Sequence, residues 1–185
     1  DEVHAFGRTY LRGALYSYSL SFAFLFIAFI SPLLSSIADY RRNKLFFMKC
    51  FCYLGAASCS ALYFYDGSNI YVGILPFILA CIGFCGSLVF YNAFLPEIAV
   101  ESEQDRVSAK GFSLGYIGSV LLLIANLLVI MKPCWFGMDE GKLPTQISLL
   151  TVGVWWALFA QITFRALGNF QKGYNAHLAA QIGRA

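Results

Sequence analysis

Between Gly13 and Ala38 the chain carries no charged residue for 26 positions. An α-helix rises about 1.5 Å per residue, so about 20 apolar residues cross a bilayer core about 30 Å thick. Four further runs are comparably bare. Leu45 to Tyr65 holds one charge, Lys49, and Tyr71 to Leu95 holds none. Gly111 to Met131 gives 21 uncharged residues, and Ile147 to Phe164 completes the set. In hydrocarbon, backbone N–H and C=O groups must be satisfied within the structure, which continuous apolar runs achieve as helices. The sequence therefore predicts an all-α integral membrane protein forming a single membrane domain over 1–185. Five transmembrane helices are expected at about 14–38, 45–65, 71–95, 108–131 and 146–164.

Composition agrees. Hydrophobic residues make up 59% of the chain and charged residues 12%, against about 25% charged in soluble domains. The net charge of +3 is small, and Lys and Arg are not massed on one element, so no nucleic-acid partner is expected. Cys50, Cys52, Cys59, Cys81 and Cys85 lie inside apolar runs and Cys134 in a loop. They read as small buried hydrophobes rather than a disulfide framework or a metal site. No nucleophile–base pair, zinc-protease motif or Gly-rich phosphate loop is present, so no cofactor is expected.

Charges gather in the connections. DYRRNK at 39–44 makes a tight charged turn after the first span, and Asp66-Gly67-Ser68-Asn69 reverses the chain by composition. Glu97, Glu101, Glu103, Asp105, Arg106 and Lys110 occupy the loop before the fourth span. Ser102 followed by Asp105 resembles a capping box, which places the start of that helix near Glu103. Its core, Leu121 to Ile130, has eight strongly apolar residues. These favour insertion by about 2–5 kcal/mol, which the single Asn126 does not reverse. Pro32 lies inside the first span, where neighbouring helices can satisfy a freed carbonyl.

Five spans put the two ends on opposite sides. One side would hold Arg41, Arg42, Lys44, Lys49, Arg106, Lys110, Arg165, Lys172 and Arg184; the other would hold Arg8, Arg12, Lys132 and Lys142. The positive-inside rule assigns the first set to the cytoplasm. The visible N-terminus is then outside and the C-terminus cytoplasmic. Asp1 rather than Met opens the chain, and an odd span count with an outside start leads us to expect another helix before residue 1.

SPLLSSIADYRRNK at 31–44 resembles the cytoplasmic 2–3 loop of major facilitator transporters, roughly Gly-x-Leu-Ala-Asp-Arg-x-Gly-Arg-Lys. Ala38, Asp39 and Lys44 match, while Ser35 and Arg42 stand at the glycine positions. FYNAFLPEIA at 90–99 and RVSAKGFSLGYIGS at 106–119 resemble the branch that includes the fungal vacuolar amino-acid effluxer linked to autophagy and its bacterial relatives. The resemblance implies helices two to six of a twelve-helix fold, that is, the N-terminal six-helix half less its first helix. It implies that residues 165–185 begin the central cytoplasmic linker. The partners it implies are the lipid bilayer, a first helix, a C-terminal six-helix half and a small-molecule substrate. The membrane would be the cell membrane in a bacterium and the vacuolar membrane in a fungus. Many facilitators carry an arginine within helix four, and here 71–94 is uncharged.

Several residues carry two readings each. Asp39, Arg41, Arg42 and Lys44, with Arg106, form either a cytoplasmic gating cluster, as the resemblance implies, or a solvated turn that only sets topology. Gly111, Gly115, Gly118 and Ser119 make a small-residue face, either tight static packing or a surface that slides during alternating access. Asn126 and Asn92 either contact substrate or bond to a neighbouring helix. Tyr91 is either a gate residue or an interfacial aromatic. Trp155 and Trp156 fall mid-span and read as packing. The resulting reading is a secondary active transporter moving a small polar solute, with amino acids resting on the resemblance alone. A membrane scaffold or assembly subunit is the alternative. A membrane-embedded enzyme is disfavoured, because no catalytic arrangement of carboxylates or histidines is read near an interface.

Overall fold

The computed structural model describes the backbone of residues 2–5, 8–40 and 43–182 and the side chains of residues 9–11, 13–36 and 43–173. The chain opens on an antiparallel hairpin of β1 (Glu2–Ala5) and β2 (Arg8–Leu11), with Val3 opposite Tyr10 and His4 opposite Thr9. Six helices follow: α1 (Arg12–Tyr40), α2 (Lys44–Ala61), α3 (Ile70–Ala93), the single turn α4 (Leu95–Ile98), α5 (Glu101–Met131) and α6 (Leu143–Ile182). Short 3-10 turns occupy Leu62–Phe64 and Pro133–Phe136. Five of the helices are long and apolar enough to cross a membrane, as the uncharged runs predict.

The helix ends follow local chemistry. At the 66–69 turn, Ser68 donates from both its N–H and its hydroxyl to the Asp66 carboxylate, which holds that carboxyl below its usual range. Gly67 takes the left-handed φ of +86° that this reversal requires. Asn69 then caps α3, its side-chain oxygen accepting from the Tyr71 N–H at 3.0 Å.

The start of α5 differs from the capping-box expectation. Val100, in extended conformation, precedes a helix that begins at Glu101, and no side chain caps it. Ser102 is already inside the first turn. There the two carboxylates of Glu101 and Glu103 complement the helix dipole. At the other end, α6 continues unbroken past 164 to Ile182, so the stretch after the expected last span is helical.

The helices pack in the order α1, α3, α2, α6, α5. α2 lies at the centre against both α3 and α6, and α1 joins through α3. Hydrocarbon gives no hydrophobic drive for helices to associate, so close backbone approach and dispersion must hold them. Small residues make that approach on both sides of α2. A Cβ on Gly83 would stand 2.5 Å from Gly55 N and Cα, and one on Gly153 would stand 2.5 Å from the Ala56 carbonyl oxygen. The Trp156 ring rests on Gly55, and Phe51 covers Gly86. Toward the α4 end, Phe90 and Phe94 are fully buried among Met48, Cys52, Phe164 and Leu167.

Helix α5 is held differently. It touches α6 and α4 but no side chain along it is buried.

Replacing Gly83 by alanine forces apart two backbones that have no flexible side chain to yield. Overpacking of this kind costs about 1–3 kcal/mol. The Gly83→Ala protein is expected to melt several degrees lower in detergent. Gly13→Ala, where nothing lies within 4 Å of a Cβ, should match wild type. Equal melting of Gly83→Ala and wild type would contradict the contact.

Candidate functional site

Between α5 and the α2–α3–α6 core lies an open, elongated cavity of about 640 Å³. Its wall on α6 runs from Val152 through Trp155, Trp156 and Ala160 to Phe164. On α5 it runs from Gly115 through Ser119 and Leu122 to Asn126. Phe84, Ser87, Leu88 and Tyr91 of α3 form the floor with Met48 and Cys52 of α2. No charged side chain lines it, and six of its eighteen lining residues are aromatic. The Trp155 ring meets Phe159 at 4.3 Å, and Phe84 meets Trp156 edge-on at 6.3 Å.

Asn126, a polar residue of this lining, is tied to α6. Thr151 Oγ1 donates to Asn126 Oδ1 at 2.8 Å, and Asn126 Nδ2 donates to the Ser148 carbonyl at 3.4 Å. Asn126 is thus bonded to the neighbouring helix and also lines the cavity. Gln161, another amide within a span, pairs with the Tyr53 hydroxyl at 3.0 Å and ties α6 to α2. Gln146 Nε2 donates to the Tyr65 carbonyl at 3.1 Å, fixing the start of α6 against the end of the second span.

The remaining sequence candidates divide by location. Tyr91 lines the cavity near its end, and its hydroxyl lies 2.8 Å from where a Gly111 Cβ would stand. Asn92, beside it, is exposed and does not line the cavity. Gly115 and Ser119 line it, whereas Gly118 does not, and a Cβ on Gly115 or Gly118 would meet open space. The side chains of Asp39, Arg41 and Arg42 lie outside the described residues. Lys44 of the same cluster donates to Glu97 Oε1 at 2.8 Å, joining the start of α2 to α4. Arg106 instead donates to Glu103 at 2.6 Å within its own helix, with both side chains well exposed.

Sequence reasoning missed the Lys44–Glu97 pair, because 53 residues separate the partners. It also missed Thr151 and Ser148 as partners of Asn126. A Ser and a Thr three apart on α6 were the available signal. Among the described residues no group of three or more His, Cys, Asp or Glu could hold a metal, and the six cysteines are free thiols.

The family model described as vacuole effluxer Atg22 like matches residues 2–180. Among curated relatives, an uncharacterized MFS-type transporter, YxiO, of Bacillus subtilis is 33% identical over 147 residues, which is 79% of this chain and 34% of that protein. Autophagy-related protein 22-1 of Aspergillus terreus is 37% identical over 86 residues, covering 45% of this chain and 14% of that protein. Autophagy-related protein 22-2 of Aspergillus niger is 22% identical over 215 residues, covering 84% and 36%. No solved structure matches. The chain spans about a third of the length of the first of these relatives. With five membrane-crossing helices and a family match over nearly its whole length, this chain belongs to the Atg22-like vacuole effluxer family of MFS-type membrane transporters.

Proposed function

We propose that the protein to which this chain belongs is a secondary active transporter. It moves a small polar solute by rocking two helical units about a midplane site, with amino acids the first substrates to test. The family match over 2–180 carries this reading. The chemistry of the spans supports it. Among the described residues, no Asp, Glu, His or Arg lies at the centre of a span. Recognition by this part of the wall then rests on neutral hydrogen-bonding groups and aromatic faces, which suits a solute without a large net charge.

The gate in this proposal is the charged turn at 39–44 with the α4 segment. Lys44 is the better shielded partner of its pair, its side chain 18% exposed against 41% for Glu97. A half-exposed pair of this kind contributes less than about 1 kcal/mol. It therefore positions the turn against α4 rather than driving the conformational change. Asp39, one turn before, is the residue proposed to contact the opposite half. Tyr91 and Asn92, at the same end of α3, stand where the inner gate would close, with Tyr91 against Gly111 of α5.

Uptake of labelled amino acids by the full-length protein in proteoliposomes tests the reading, with and without a proton gradient. Asp39→Asn is expected to lower flux about tenfold with substrate binding retained, and Lys44→Gln by a smaller factor. Full flux in Asp39→Asn would remove the gate and keep the transporter. Absence of flux for amino acids, sugars, peptides and drugs alike would remove the transporter.

The orientation proposed from charge has its own test. Cys134 is exposed in the loop between α5 and α6. An impermeant maleimide added to intact cells that carry the protein in the outer cell membrane is expected to label the Cys134 peptide. That label should be absent in Cys134→Ser. Labelling only after permeabilisation would reverse the orientation.

A further inference from the structure

Where α2 and α6 run antiparallel, one hydrogen bond marks equal heights on the two helices: Gln161 Nε2 donates to the Tyr53 hydroxyl at 3.0 Å. One turn nearer the start of α2 stands Lys49, and one turn further along α6 stands Arg165. Residues four apart share a helix face, so the two cations stand at one level of the same seam. A further turn in that direction the seam is closed, because a Cβ on Gly168 would lie 3.6 Å from Leu45 Cδ2. Lys172 follows Gly168 by four residues and extends the cationic face of α6. None of these residues lines the cavity beside α5.

Lys49 lies within a membrane span, where a charge needs a partner or a route to water. Its ammonium sits 5.5 Å from the centre of the Phe164 ring. The side chain therefore crosses from α2 to α6, to the level of Arg165, instead of running back along its own helix. A ring face attracts a cation but accepts none of the three ammonium protons as a strong hydrogen bond. Among the described residues neither Lys49 nor Arg165 forms an ion pair: Glu97 is held by Lys44 and Glu103 by Arg106. Arg165 is exposed, and a guanidinium can offer two parallel donors to a phosphate. Toward the middle of the span, Leu158 and Ile162 are exposed and lead into Arg165 at spacings of four and three, one face of α6. The cations thus end an apolar stripe. A free anion would leave that stripe uncovered; a molecule with an acyl chain and an anionic head covers both parts.

We propose that the α2–α6 seam binds one anionic phospholipid, its phosphodiester held between Lys49 and Arg165 and an acyl chain lying along Leu158 and Ile162. The phosphate neutralises two cations at the edge of the hydrocarbon, where unpaired charge is costly. Basic pockets between membrane helices hold anionic headgroups by this chemistry, and the orientation proposed from charge turns this end toward the cytoplasmic leaflet, where anionic lipids are found. The Tyr53–Gln161 pair, bonded to itself across the seam, forms the floor below the headgroup. The bound lipid clamps α2 to α6 from outside the bundle.

The test uses the full-length protein in detergent micelles to which single lipids are added. Phosphatidylglycerol is expected to bind about tenfold more tightly than phosphatidylcholine with the same chains, read by native mass spectrometry. Lys49→Gln with Arg165→Gln should bring the two lipids to equal affinity. Lys132→Gln with Lys142→Gln, which removes the same charge from the connection between α5 and α6, should leave the preference intact. Equal affinities in the wild type, or the same loss in both double variants, would overturn the site. Glycerol phosphate, the headgroup anion without chains, should not displace the lipid at equal concentration; displacement would make this a free-anion site and end the lipid proposal. A second readout needs no variant. Phosphatidylglycerol with a diazirine in its acyl chain should label the peptide carrying Leu158 and Ile162 above all other spans. Excess unlabelled phosphatidylglycerol should remove that label, and phosphatidylcholine should not. Label spread evenly over the spans would overturn the proposal. Both readouts report lipid binding and stand whether or not a solute is transported.

Discussion

The bundle depends on the close approach of three backbones around α2. Gly55 faces Gly83 of α3 on one side and receives the Trp156 ring of α6 on the other, while Gly153 brings α6 onto the Ala56 carbonyl. In water such contacts would be one contribution beside a large hydrophobic drive. In lipid the tails are as apolar as the side chains, so dispersion at short range carries most of the preference for helix over lipid. A missing Cβ matters more here than an added methyl would. It is what brings whole helices within contact distance, and it lets Phe51 and Trp156 lie flat against a neighbour.

From that centre outward the packing thins in a definite order. α1 reaches the core through Ala23 and Ile27, which meet Ile82 of α3. α6 adds Phe164 and Leu167 to the cluster around Phe90 and Phe94. α5 adds no buried side chain, and its hold on α6 includes the amide of Asn126 on Thr151 and Ser148. A polar tie of this kind in a membrane is worth about 0.6–2 kcal/mol. It fixes the register of α5 against α6 without burying much area.

The spans were legible because the bilayer turns length and charge into structure almost directly: a run of 21 uncharged residues has few other folds open to it. Boundaries were less so. Hydropathy marks where a helix enters lipid and not where it begins, which is why α5 starts at Glu101 and α6 runs to Ile182 beyond their apolar stretches. The β1–β2 hairpin was invisible for a related reason, since four residues per strand give too little alternation to read. At the candidate site, sequence singled out Asn126 and the α5 small-residue face by their own character. It did not see that Gly55, Gly83 and Gly153 make the tight contacts, because each is small only in relation to a partner on another helix. Trp156 was read as packing, and it does pack on Gly55 while also lining the cavity beside α5.

That division between a dense seam and a lightly held helix bears on how such a protein works. The alternating access proposed above requires some helix interfaces to persist and others to change. The α2 interfaces with α3 and α6 are poor candidates for change, because sliding one backbone past Gly55 or Gly83 would drive side chains into main chain. The surfaces of α1 and α5 turned away from this seam carry large apolar residues that are mostly exposed, Phe29 and Leu33 on one, Leu114 and Tyr116 on the other. Contacts made there depend on side chains with free rotamers rather than on interlocked backbones, and can be exchanged at modest cost. The physical asymmetry thus places rigidity in the middle of the five helices and adaptability on the two that flank it.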